Sequence, residues 1–119
     1  MSLKSLGVLV CLLACQAGAA LASNLNFLRD DAPITRFNQK DMQLMQDALD
    51  KAMNAEPGTK VEWANDKSGA SGSITQLGRF ERAGAECRKA EFTTRYKTIR
   101  GGGEYNFCKT AQGIWQLVQ

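Results

Sequence analysis

The hydrophobic period changes once along this chain, at Pro57-Gly58, and that change limits the folds open to it. Before it, Met42, Met45, Leu49, Ala52 and Met53 recur at three and four residues, with Ala48 beside them. That spacing predicts one amphipathic helix with a single apolar stripe. Asn38 is placed to cap its start, with Asp41 near the positive end of the first turn. Phe37 and Met42 are placed for a hydrophobic staple, and Pro57-Gly58 ends the element. Methionine-rich stripes also line partner grooves, but at this spacing a core face is the simpler assignment.

After Pro57-Gly58 the pattern alternates. Lys60-Val61-Glu62-Trp63 reads as a strand, Asn65 to Gly69 as a turn, and Gly72-Ser73-Ile74-Thr75 as a second strand. Cys87 to Ile99 reads as a long third strand. It has Ala90, Phe92 and Tyr96 on one face and Lys89, Glu91, Arg95 and Lys97 on the other. Gly101-Gly102-Gly103 is expected to break it, Tyr105 to Cys108 to form the fourth strand, and Ile114 to Val118 the fifth. Short connections favour an antiparallel meander. The fold class expected is therefore α+β: one N-terminal helix on the aromatic face of a meander of four to five strands.

The N-terminal end points to export. Lys4 precedes the apolar run Leu6 to Ala14, and Ala20-Leu21-Ala22 precedes Ser23. A basic start, a short apolar middle and an A-x-A site describe a signal peptide over residues 1–22. The run is too short to span a bilayer, and no other stretch is apolar enough. Leu12-Leu13-Ala14-Cys15 also reads as a lipobox, in which Cys15 would be acylated and tether the domain to a membrane. Cys11 stands where that motif has an aliphatic residue, so cleavage after Ala22 is preferred. Residues 23–36 lack a period and contain Pro33, and read as a flexible leader. The domain proper is then 37–119. Without Lys4 the chain carries 14 Lys/Arg against 12 Asp/Glu, too small a surplus to imply nucleic acid.

Cys87 and Cys108 remain after that cleavage, and an exported chain meets an oxidising compartment. A bridge between them closes a loop of 21 residues, worth about 3 kcal/mol in the chain-entropy model. With no His and no C-x-x-C, two thiolates do not complete a zinc site. Residues opposite each other in a hairpin are symmetric about its turn, and this pair centres the turn on Lys97-Thr98 rather than on the glycines. Both cysteines are also out of phase with the aromatics. Two geometries accommodate this: a bridge on the face opposite the aromatics with the triple glycine as a bulge, or bent strands.

Trp63-x-Asn65-x-x-Ser68-Gly69-x-x-Gly72-Ser73-Ile74 resembles the W-x-N-x-x-S/T-G-x-x-G-x-V motif of the bacterial outer-membrane surface-antigen family. Cys87-Arg88 is similar to that family's C-R pair, and Cys108-Lys109 followed by Gly113-x-Trp115 to its closing C-R and G-x-W. The resemblance spans residues 37 to 119. It implies an envelope protein, often a lipoprotein, with a small C-terminal domain of unassigned biochemistry and no catalytic residues to carry over. Lys109 stands in place of the family's Arg, the triple glycine falls later than the usual turn glycines, and a glycine-zipper segment before the domain is missing.

The chemistry left open is sparse. Absence of His removes triads and His-metal sites. The glutamates of the sheet region read as solvated strand residues rather than a glycosidase pair. No metal or other cofactor is expected. Arg79 to Arg100 holds seven Lys/Arg and three Glu; within it Lys89, Arg95 and Lys97 are the candidate contacts for an anionic surface. Trp63 and Trp115 read as core anchors rather than a sugar platform. Arg88 is placed for an internal ion pair. The expectation is a non-catalytic envelope protein, of the periplasm or the outer membrane and cell surface, binding a glycan, a lipid headgroup or a protein. The alternative is a small periplasmic hydrolase inhibitor presenting Asn65 to Gly72.

Overall fold

The computed structural model describes residues 31–118. The expected signal peptide, the candidate lipidation site Cys15 and residues 23–30 of the expected leader lie outside the described residues. After a 3-10 turn, η1 (Ile34–Arg36), come the helix α1 (Gln39–Asn54) and five strands. These are β1 (Lys60–Asn65), β2 (Ala70–Arg82), β3 (Ala85–Tyr96), β4 (Ile99–Lys109) and β5 (Trp115–Val118). The strands form one antiparallel sheet in the order β1-β2-β3-β4-β5, with α1 packed on β1 and β2. This is the α+β meander that the change of period predicts.

The helix begins where the cap was expected. Asn38 Oδ1 accepts from the Asp41 N–H at 2.8 Å, and Asp41 Oδ2 accepts from the Asn38 N–H at 2.9 Å. This reciprocal capping box satisfies two otherwise orphan donors. Met45, Ala48, Leu49, Ala52 and Met53 are all buried against Ile74, Phe92 and Phe107 of the sheet. Each fully buried large side chain contributes about 1.5–3 kcal/mol. At the other end Gln76, buried in β2, donates through Nε2 to the carbonyls of Ala52, Met53 and Ala55 at 2.9–3.2 Å. A strand residue thus closes the C-terminus of the helix, which stops at Asn54, before Pro57-Gly58.

Two expectations are corrected. The triple glycine neither breaks a strand nor forms a bulge. The β3–β4 turn is at Lys97-Thr98, and Gly101, Gly102 and Gly103 pair in unbroken register with Thr94, Thr93 and Phe92. The register shift of the sheet falls instead in β2, between Gln76 and Gly78. The glycines make room. A Cβ on Gly102 would lie 2.2 Å from the Phe92 carbonyl oxygen, and φ there is +142°. A Cβ on Gly101 would lie 2.6 Å from Asp31 Oδ2. That second contact explains the other correction. Residues 31–36 are not a flexible leader but a strap across the sheet, extending the folded body beyond residue 37. Asp31 accepts from the Thr94 hydroxyl at 2.8 and 2.9 Å, and Ile34 is buried. Absence of periodicity hid this segment, because a docked strap needs only a few contacts.

Cys87 and Cys108 are register partners joined by a disulfide. Their phase puts the bridge on the sheet face away from α1, the first of the two geometries without its bulge. No helix among the described residues is long and apolar enough to cross a membrane.

Candidate functional site

The residues of the surface-antigen-like motif assemble into a scaffold around Asp41. That side chain is fully buried, and its Oδ1 accepts from Asn65 Nδ2 and Ser68 Oγ, each at 2.7 Å. The β1–β2 turn is thereby tied to the first turn of α1. Gly69 provides the left-handed residue of that turn, with φ +81°. Trp63 is buried with its ring edge-on to Phe37 at 5.3 Å. Its indole covers Gly72, where a Cβ would fall 2.8 Å from Nε1. At the other end Trp115 is buried with two cations over its indole. Arg88 Cζ lies 5.1 Å and Lys109 Nζ 5.7 Å from the indole ring centroids. Gly113, with φ +81°, turns the chain into β5. Arg88 is buried and forms the ion pair with Glu86. That hydrogen bond, with the attraction of the guanidinium, holds the Glu86 carboxyl below its ordinary pKa. Both tryptophans are therefore core anchors.

The segment Asn65 to Gly72 holds a tight turn whose tip, Asp66 and Lys67, is exposed. Asn65 O accepts from the N–H groups of Ser68 and Gly69 in a tight turn, and the Ser68 hydroxyl is engaged by Asp41.

The opposite sheet face carries a concavity of about 670 Å³. Register partners across antiparallel strands share a face. One row across the sheet is Ala64, Ser71, Arg95 and Arg100, and the next is Glu62, Ser73, Thr93 and Gly102. The floor is made of small side chains, and Ser73 Oγ and Thr93 Oγ1 are hydrogen-bonded at 2.6 Å. Lys60, Arg95 and Arg100 outnumber the single acid of the rim, Glu62, which pairs with Lys60 at 3.8 Å.

The three cations singled out from the sequence are not brought together. Arg95 lines the concavity. Lys89 is six residues back along β3, roughly 20 Å at strand rise, and pairs with Glu104 at 3.6 Å. Lys97 lies in the β3–β4 turn with φ +55°, its ammonium 5.3 Å from the centroid of the Tyr96 ring. The partners that Arg95 does have, Arg100 and Ser71, were not singled out. The turn centre at Lys97-Thr98 was the available signal, since Arg95 and Arg100 are symmetric about it.

A second cleft, of about 520 Å³, separates α1 from the β4–β5 turn, between Gln46, Asp50, Asn54 and Lys109. Burial raises the Asp50 pKa there. Its polar groups are already bonded to one another along the helix: Gln46 donates to Asp50 Oδ1 and Asn54 to the Asp50 carbonyl. Among the described residues no cluster of His, Cys, Asp and Glu is arranged to hold a metal ion. Comparison with family models, with curated proteins and with solved structures finds no match.

Proposed function

We propose that this protein is a non-catalytic component of a bacterial cell envelope, exported and disulfide-bonded, whose outer sheet face binds an anionic envelope component. The observation that carries this reading is the concavity ringed by Lys60, Arg95 and Arg100, with one acid on its rim. A surface of one predominant charge raises the local concentration of oppositely charged partners even when the net charge is small. The disulfide supports an oxidising compartment. The engaged polar groups of the opposite face also support it. Asp41, Asn65, Ser68, Gln76 and Arg88 each have a structural partner there.

The test is co-sedimentation with vesicles containing phosphatidylglycerol and with purified peptidoglycan. Wild type is compared with the triple variant Lys60→Glu, Arg95→Glu, Arg100→Glu. Binding to at least one should fall tenfold or more in the variant. It should also weaken at 1 M salt, where the Debye length is about 3 Å. Equal binding by both proteins, or binding unchanged by salt, refutes the reading.

A further inference from the structure

Four like-charge pairs face each other across the strands of this sheet: Arg79 and Arg88, Glu81 and Glu86, Glu91 and Glu104, and Arg95 and Arg100. Directly opposed like charges destabilise a sheet. Three of the pairs contain a built-in remedy. Arg79 lies 3.8 Å from Glu56, Arg88 and Glu86 pair with each other, and Glu104 lies 3.6 Å from Lys89. Arg95 and Arg100 differ: among the described residues neither makes an ion pair. They also line the concavity of the outer face. A local rule broken without compensation is the mark of a functional position.

We infer that Arg95 and Arg100 form an oxyanion clamp, and that the concavity binds an acidic sugar residue of an envelope glycan. The inference rests on the proposed function and names the ligand class and the residues that select it. Guanidinium forks match carboxylate and phosphate oxygens in pairs. Arg95 Nε donates to the Lys97 carbonyl at 2.6 Å, which fixes that guanidinium while its two terminal nitrogens stay available. The missing counter-charge is then the ligand's. The rest of the surface argues against a lone ion. Ser71 shares the arginine row, and the Ser73–Thr93 hydroxyl pair and Glu62 lie in the row beside it, a set of donors and acceptors suited to sugar hydroxyls. Gly102 adds no side chain to the floor beside Thr93. A volume of about 670 Å³ lies within the range of small-molecule sites, roughly 300–1,000 Å³.

The experiment is calorimetric titration of the exported protein with trigalacturonic acid, glucose 6-phosphate, maltotriose and inorganic phosphate. At least one acidic sugar should bind, and bind more tightly than either the neutral sugar or inorganic phosphate. Arg100→Gln should weaken that binding at least tenfold, whereas Lys89→Gln, distant and paired with Glu104, should leave it unchanged. A second readout separates a clamp from a structural pair. Without ligand, Arg100→Gln should raise the melting temperature by about 2–4 °C, because it relieves the opposed charges. Absence of binding by both acidic sugars, equal binding of inorganic phosphate, wild-type affinity in Arg100→Gln or a lowered melting temperature would each overturn the inference. If that happens while wild type still sediments with anionic envelope material in a salt-sensitive way, the clamp fails and the broader reading stands. If wild type binds none of these materials, both fail.

Discussion

The two faces of the sheet treat polar side chains in opposite ways. On the inner side, Asp41 of α1 accepts three hydrogen bonds, Gln76 donates to three carbonyls at the end of α1, and Arg88 has both an acid and an indole. An unsatisfied buried donor or acceptor costs about 1–3 kcal/mol; each of these residues has at least one built-in partner, while Gln76 Oε1, Arg88 Nε and Trp63 Nε1 are left without a hydrogen bond. On the outer face Arg95 and Arg100 confront each other, and among the described residues neither is in an ion pair. Solvent makes that arrangement tolerable, at a cost below about 1 kcal/mol. The difference separates residues that specify the fold from residues the fold presents. It also places the surface-antigen-like motif among the first group, since Asn65, Ser68, Gly69 and Gly72 all serve the α1–β1–β2 junction.

That contrast is sharpest at Asp41. Replacing it with Ala removes a helix cap and leaves the Asn65, Ser68 and Asn38 donors without their acceptor. A loss of about 4 kcal/mol is expected in urea unfolding. A loss under 1 kcal/mol would mean that water replaces those partners and that the inner face is not the stricter one.

The disulfide tests whether the outer face contributes anything to stability. Cys87→Ala with Cys108→Ala should cost about 3 kcal/mol, the usual range being 2–5 for a small exported domain. Non-reducing peptide mapping of the native protein should recover one linked pair. Free thiols at both positions in protein isolated from its native source would remove the outer face from the stability argument.

A smaller effect is expected at Glu86, whose pKa is lowered by its hydrogen bond to Arg88. A carboxyl with a depressed folded-state pKa stabilises the fold above its unfolded value, and that stability is lost as the pH falls through the folded value. The wild type should therefore lose stability below pH 4.5, and Glu86→Gln should flatten that part of a pH series of melting curves. An unchanged slope would show that Arg88 is held by Trp115 and by its hydrogen bond, at 2.9 Å, to the Cys87 carbonyl alone.

The smallest effect on stability belongs to the arginine pair. Arg95→Gln should change unfolding free energy by less than about 1 kcal/mol, in the stabilising direction. A clear destabilisation would erase the distinction between the faces, because Arg95 would then be serving the fold through its bond to the Lys97 carbonyl.

Much of the fold is legible in the residues. The helical stripe, the Asn38 cap, the alternation of β3 and the outward phase of Cys87 depend on local geometry, which repeats every 3.6 or 2 residues and so leaves a readable period. The Lys97-Thr98 turn centre follows from hairpin symmetry once the cysteines are paired. Other features leave no period. The strap at 31–36 is recognised only when Gly101 is seen to make room for Asp31 and Pro33. The glycine run reads as a break in one dimension and as close packing in three. The candidate site is divided in the same way. The outward parity of Arg95 is written in β3, but its partnership with Arg100, Ser71 and Thr93 is a property of register across three strands. Sequence determined one helix, a meander, a bridge and which charges turn outward, because these follow from local periodicity and composition. Tertiary structure decided which of those charges acquire a neutralising neighbour and which do not, because counter-ions such as Glu56 and Glu104 arrive from elements that no local pattern places beside them.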